Sequence, residues 1–260
     1  MTLKTISKPR QVTCAVLMSA MAVAGCDEAI NLTPGAVDKA DICSPFRQQI
    51  ADARKSDLQQ QANAAVAGAL IGAVLGAAVA GSGNRAQGAL LGATIGGLAG
   101  YSDVYYKQVA KRSRDASSLL GNVNSDAGKE RALVTQTGRA TASLRSCRSR
   151  QLSSLRSRVR GGKVTKSAAK AELRQIRGWA AQDNRLVSAA FNGIGQRVDA
   201  YVDVTNGVAR TQSSISAAGA RKRTPNVSRV KSERTAQINS AKRSEERVNS
   251  EIKALEVLLG

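Results

Sequence analysis

The sequence predicts an all-α protein: a glycine-zipper helical hairpin, then a long antiparallel coiled-coil hairpin and a C-terminal amphipathic helix. Three observations predict this class. No proline occurs between residues 46 and 224 of the 260-residue chain, so no proline interrupts a helix there. Aromatic residues make up only 3% of the chain, which argues against a large globular core. Apolar or small residues recur at spacings of three and four, the period of a helical face.

The composition also bounds the function. The net charge of +20 indicates anionic partners such as lipid headgroups, cell-wall polymers or nucleic acid. The chain has no histidine, the commonest general base and metal ligand, so we expect no enzyme, no cofactor and no metal site. Gly162 and Lys163 do not make a phosphate loop, because Ser157 stands where that loop needs glycine and Val164 follows the lysine.

The first 25 residues predict a lipoprotein signal peptide. Residues 1–10 carry three basic and no acidic side chains, and an apolar run over 12–24 follows. Small residues then precede Cys26, and this arrangement resembles a bacterial lipobox made of Val23, Ala24 and Gly25. The resemblance implies cleavage before Cys26 and acylation of that cysteine by membrane lipid, with palmitate as one acyl chain. An ordinary signal peptide with a coincidental cysteine is the alternative.

Two apolar segments, Ala64–Gly81 and Ala86–Tyr101, carry a small residue at every fourth position. As helices they would span about 27 and 24 Å, slightly less than the roughly 30 Å of a hydrocarbon core. A groove of small residues lets helices approach closely, which is a main source of helix association in lipid. The sequence therefore predicts helix packing, within one chain or between copies in a homo-oligomer, through Gly68, Gly72, Gly76, Gly88, Gly92, Gly96 and Gly100.

A lipobox followed by such repeats resembles the glycine-zipper lipoproteins of bacterial envelopes, including the rickettsial-type surface antigens. The resemblance covers residues 26–101. It implies a lipid-anchored envelope protein facing the periplasm, with a membrane-associated hairpin and a role in envelope integrity. It leaves the choice between the inner and the outer membrane open. A hairpin that packs in water, without entering lipid, is the alternative for the glycine segments.

Two cysteines are left once Cys14 is removed with the signal peptide and Cys26 is acylated. Cys43 and Cys147 form an even pair, and the sequence leaves a disulfide or two separate thiols open. A simple hairpin turning near Ser82 would place Cys43 opposite a residue near position 123. A bridge to Cys147 therefore needs a break in the following helix or an extended arm over 27–44.

The predicted domains follow from these patterns. A tether spans 26–44 and a helix plus the glycine-zipper hairpin spans 45–101. Heptad-like stripes then predict an antiparallel coiled coil over 102–210 with its turn at 161–163, where two glycines precede a lysine. Periodicity is lost over 211–228, which predicts a basic linker, and it returns over 229–260 as an amphipathic C-terminal helix.

A run of basic residues lies at and just before the predicted turn, and we expect it to contact an anionic partner. Its members are Arg145, Arg148, Arg150, Arg156, Arg158, Arg160 and Lys163. Peptidoglycan or another anionic envelope polymer, or anionic lipid, fits this charge, whereas nucleic acid does not fit an exported protein. The expected function is a non-enzymatic scaffold, with an oligomeric, channel-like accessory of envelope transport or secretion as the alternative. A solubilising face without a specific partner is the alternative for the basic run.

Overall fold

The computed structural model describes residues 40–52 and 101–260, which belong to one compact unit. The signal peptide, the lipobox with Cys26 and the glycine repeats of 64–100 lie outside the described residues. Residues 44–52 are helical, and five further helices follow: α1 (Tyr101–Lys111), α2 (Ala116–Arg160), α3 (Lys166–Thr211), α4 (Ala217–Arg223) and α5 (Pro225–Leu259). The described part of the chain is all-α, as the sequence predicts.

Helices α2, α3 and α5 form a three-helix bundle. α2 has 45 residues, which makes it about 67 Å long. α3 runs antiparallel to α2, because Glu130 near the start of α2 pairs with Arg197 near the end of α3 at 2.7 Å. α5 runs parallel to α2, since Arg131 near the start of α2 bonds Glu233 near the start of α5 at 3.1 Å. The bundle therefore has up-down-up topology.

Local chemistry explains where the long helices begin and end. Asp115 caps α2 by accepting a hydrogen bond from the backbone N–H of Ser118, whose hydroxyl accepts one from the Asp115 N–H in return. α2 ends at Arg160 with Gly161 as its C-cap, and Gly162 has a φ of 62°, a conformation that favours glycine. Thr165 then caps α3 through the N–H of Ala168. The turn between α2 and α3 thus falls where the two glycines predict it.

Apolar residues fill the bundle from end to end. At the end that carries the turn, one buried cluster joins all three long helices; it includes Leu155, Ile176, Trp179 and Leu255. Towards the other end, α1 packs on α3, where the rings of Tyr105 and Tyr201 meet edge to face with centroids 5.0 Å apart.

The structure corrects several predicted boundaries. The coiled coil predicted over 102–210 is interrupted between α1 and α2, so its first residues form the separate helix α1. The basic linker predicted at 211–228 is mostly helical: it contains α4 and the beginning of α5. Ser216 caps α4, and α5 begins at Pro225, a residue suited to a first helical turn. The C-terminal helix predicted at 229–260 therefore begins earlier, and it packs against α2 and α3 as the third member of the bundle.

Candidate functional site

A disulfide joins Cys43 to Cys147 across 104 residues of sequence, with Cα atoms 5.8 Å apart. The sequence alone does not decide between this disulfide and two separate thiols. The bridge forms because residues 40–52 lie against α2 at the level of Cys147, and not beside its first turns. Ile50 and Cys43 are completely buried. The disulfide therefore holds the segment 40–52 onto the bundle.

Next to the disulfide lies a buried ion cluster of Asp41, Arg47, Arg148 and Asp183. Arg148 donates from Nη1 and Nη2 to the two carboxylate oxygens of Asp41, at 2.5 and 2.6 Å. Its Nε donates to Asp183 Oδ2 at 2.7 Å. Arg47 completes the cluster by bonding both acids, Asp183 at 2.9 Å and Asp41 at 2.8 Å. Such forked charge-assisted bonds are the strong kind, so the cluster links the segment 40–52 to α2 and α3.

Burial and ion pairing have opposite effects on the pKa values of Asp41 and Arg148. Burial by itself would raise the pKa of Asp41, but hydrogen bonds from Arg148 and from the Cys43 backbone N–H outweigh it and hold that pKa below its ordinary value. Burial would likewise lower the pKa of Arg148, whereas its bonds to Asp41 and Asp183 raise it. Both groups are thus charged at neutral pH.

The prediction that seven basic residues contact an anionic partner is wrong for two of them. Arg145 and Arg148 are buried, with only 3% and 0% of their surface exposed. Arg148 lies one turn from the buried Leu144 and Leu152, and Arg145 lies one turn from the buried Thr141, so both are on the face of α2 that packs into the bundle. Arg148 serves the ion cluster and stands over the ring of Trp179, with the guanidinium carbon 5.4 Å from the ring centroid.

The other predicted contact residues gather at the turn end of the bundle, together with basic residues from the first turns of α3. We call this surface the basic end. Arg150, Arg160 and Lys163 are exposed there, while Arg156 and Arg158 are half-buried. On the other side of the turn, α3 contributes Lys166, Lys170 and Arg174, all of them exposed.

The sequence missed Lys170 and Arg174 as members of this surface. Lys166, Lys170 and Arg174 recur at every fourth position, and this spacing predicts that all three lie on one face of α3. Two acids at the same end, Glu172 and Glu256, are engaged by Arg158 at 2.5 Å and by Arg177 at 3.1 Å. The basic end therefore keeps a surplus of positive charge.

The C-terminal turn of α5 exposes apolar side chains at the same end of the bundle. Because α5 is parallel to α2, its last residues reach the turn end of the bundle. Val257 is 83% exposed and Leu258 is 41% exposed. A cavity of about 210 Å³ lies between this turn and Lys170 and Arg174 of α3. Guanidinium and ammonium donors at one end of a bundle that also exposes aliphatic side chains are suited to phosphate or carboxylate groups on an amphipathic surface.

Residues 40–52 and 101–260 contain no group of cysteine, aspartate and glutamate side chains placed to hold a metal ion. No helix of that part of the chain is both long enough and apolar enough to cross a membrane.

No family model, no curated protein and no solved structure matches the chain. The resemblance to glycine-zipper lipoproteins, which rests on residues 26–101, therefore stays a prediction.

Proposed function

We propose that this chain is a non-enzymatic lipoprotein of the bacterial envelope, anchored through acylated Cys26. In this proposal its helical bundle is a scaffold that brings the basic end against anionic envelope material. The observation that carries the proposal is the gathering of cations from α2 and α3 on both sides of one turn, at the end of the bundle where Val257 and Leu258 are also exposed.

The apolar residues favour a lipid surface over a soluble or cell-wall polymer as the partner of the basic end. A polymer of anionic sugars would be matched by the cations alone. Val257 and Leu258 would stay in water on such a partner, whereas a bilayer interface accepts aliphatic side chains and anionic headgroups attract the surrounding Lys and Arg. Each basic residue near an anionic surface contributes about 1 kcal/mol of attraction, so several acting together give stable binding.

The anchor is supported by the sequence of residues 1–26 and is tested separately. Cells that express the chain are labelled with radioactive palmitate, and the protein is recovered from the membrane fraction. The proposal predicts a labelled, membrane-bound protein, and no label when Cys26→Ala is introduced. A labelled Cys26→Ala variant, or an unlabelled wild type, would contradict acylation at this residue.

The basic end is tested by binding to vesicles of phosphatidylglycerol and phosphatidylcholine. Full-length Cys26→Ala protein is used, so that no acyl chain contributes to binding. The triple change Arg160→Glu, Lys163→Glu and Lys166→Glu is expected to weaken binding tenfold or more, with a strong dependence on salt.

The matched control reverses three exposed charges near the opposite end of the bundle: Arg221→Glu, Lys222→Glu and Arg229→Glu. Both triple variants change the net charge equally, and circular dichroism verifies that both are helical. We expect the control to bind within about twofold of the parent protein. Equal losses in the two variants would show that net charge, and not the basic end, governs binding.

A further inference from the structure

Arg145 is a buried cation whose donors find no acceptor among the described residues. Its side chain is within the bundle, and Nε, Nη1 and Nη2 are all buried without a hydrogen-bond partner in residues 40–52 and 101–260. A guanidinium stays charged at neutral pH, so this arrangement is strongly unfavourable unless another group supplies acceptors. Burial lowers the pKa of Arg145, and Asp183 and Glu245 only partly oppose that effect.

The two carboxylates that raise the pKa of Arg145 are engaged elsewhere. Asp183 accepts from Arg47 and Arg148 in the buried ion cluster. Glu245 accepts from the side-chain amide of Asn184 at 2.7 Å. The ion cluster pairs two arginines with two aspartates, so its carboxylates are already matched by cations and none is left over for Arg145.

Arg145 lines a solvent-accessible groove of about 350 Å³ between α2 and α5. The groove begins at Gly138, where the side chain of Gln237 occupies the position that a Cβ atom would take. Beyond that close approach, hydroxyl groups from both helices line its walls, and Arg247 stands at its exposed rim. The hydroxyl-bearing residues of these walls include Ser146, Ser149, Ser240 and Ser244.

We propose that this groove is a binding site for a small hydroxylated organic anion, with its phosphate or carboxylate group held by Arg145. The planar guanidinium fork matches two oxygens of such a group, and Arg247 adds a second positive charge. The volume of the groove exceeds that of a lone oxyanion, and the serine hydroxyls can bond the hydroxyl groups on the rest of the ligand.

Glu251 restricts the choice of ligand. It lines the same groove, and its buried Oε2 finds no donor among the described residues. This oxygen can accept a hydrogen bond from a ligand hydroxyl, but it repels a second anionic group. The site therefore fits a ligand with one anionic group and several hydroxyls better than it fits a polyanion.

The test measures the melting temperature of the full-length protein during titration with glycerol 3-phosphate and with glucuronate. Glycerol and potassium chloride at matched ionic strength serve as controls. We expect a saturable rise in melting temperature with at least one of the two anions, and no rise with glycerol. The absence of any anion-dependent rise would mean that the groove holds water only, and the proposal would fail.

Variants separate the groove from general charge effects. Arg145→Met should remove the anion-dependent rise without lowering the basal melting temperature, because an apolar side chain of similar length needs no acceptor. Arg247→Gln should weaken binding several-fold, while Arg243→Gln, an exposed change on the same helix outside the groove, should not. Equal responses of the wild type and Arg247→Gln would overturn the proposal even if Arg145→Met did not fold.

The source of the anion is distinguished by vesicles that contain phosphatidylglycerol. If Arg145→Met weakens vesicle binding, the ligand is a lipid headgroup; if it affects only the soluble anions, the ligand is a free metabolite. None of these variants changes the basic end, so a failure of the groove proposal leaves the proposed function standing, and the reverse also holds.

Discussion

Asp183 accepts hydrogen bonds from two arginines that come from different parts of the chain, Arg47 and Arg148. Its side chain is completely buried. Removing one partner from a buried ion pair leaves the other charge without compensation in a medium of low polarity, which costs about 3–5 kcal/mol. The stability of the described fold therefore depends on a few polar residues as well as on its aliphatic core.

We predict that Asp183→Ala lowers the free energy of unfolding by about 3–5 kcal/mol, as measured by urea denaturation. Glu172→Gln is the control, because it removes an acid from a half-exposed pair with Arg158 and should cost less than about 1 kcal/mol. A loss from Asp183→Ala no larger than that of the control would show that the cluster contributes little.

Asp41 gives the cluster a defined pH dependence. Its pKa is depressed in the folded protein, so the stability it contributes is fully present above the unfolded value of about 3.9 and is lost as the pH falls through the folded value. We predict that stability decreases on acidification below about pH 4, and that the decrease is smaller in Asp41→Asn. Urea midpoints between neutral and acidic pH measure this, and parallel curves for the two proteins would contradict it.

The burial of Arg148 is a residue-scale result that the sequence signalled only in part. Its spacing of four from both Leu144 and Leu152 indicates the packed face of α2. Its acidic partners, however, lie 107 and 35 residues away in sequence, and no local pattern identifies them. Since an arginine without buried acids belongs at the surface, the chain's charge pattern alone places Arg145 and Arg148 there.

At the element scale, the helices that the sequence predicts well are those with strong local signals. Gly161 and Gly162 end α2, and the absence of proline allows two helices of 45 and 46 residues. α4 is different, because seven residues are too few to show a hydrophobic period. The third position of α5 in the bundle depends on packing against both long helices, which periodicity within one segment cannot reveal.

The disulfide is the covalent link between two elements that are far apart in sequence. Because it closes a long loop, its removal should lower stability by about 2–5 kcal/mol. We predict that Cys43→Ser with Cys147→Ser, or reduction of the wild type, exposes the segment 40–52 to trypsin at Arg47, whose side chain is only 15% exposed in the bridged protein. Cleavage rates followed by mass spectrometry measure this.

The double-serine variant also provides the control for that experiment. It has no bridge, so a reducing agent should not change its cleavage rate. Equal cleavage at Arg47 in the bridged and the reduced wild type would mean that the ion cluster alone holds the segment. In that case the bridge would add nothing to its attachment.

In the whole molecule, the buried ion pairs and the surplus surface cations lie in different parts of the bundle. Paired charges are buried inside the bundle, at Arg148 and Glu130, whereas the surplus cations lie at the turn end. The sequence predicts the location of this surplus, because the glycine turn and the basic run coincide. It does not predict that Val257 and Leu258 lie at the same end, since their position follows from the parallel packing of α5 on α2.

The orientation of the bundle on a membrane is the most direct test of the account. The chain has a single tryptophan, Trp179, which is buried and provides a constant background. A second tryptophan is introduced at Val257 in the Cys26→Ala background, and Lys222→Trp, on the exposed surface of α4, is the matched control. Fluorescence is recorded with vesicles of phosphatidylglycerol and with vesicles of phosphatidylcholine. If the basic end contacts the membrane, Val257→Trp shows a blue shift on the anionic vesicles alone and Lys222→Trp shows none. No shift at Val257→Trp, or an equal shift at both positions, would contradict it.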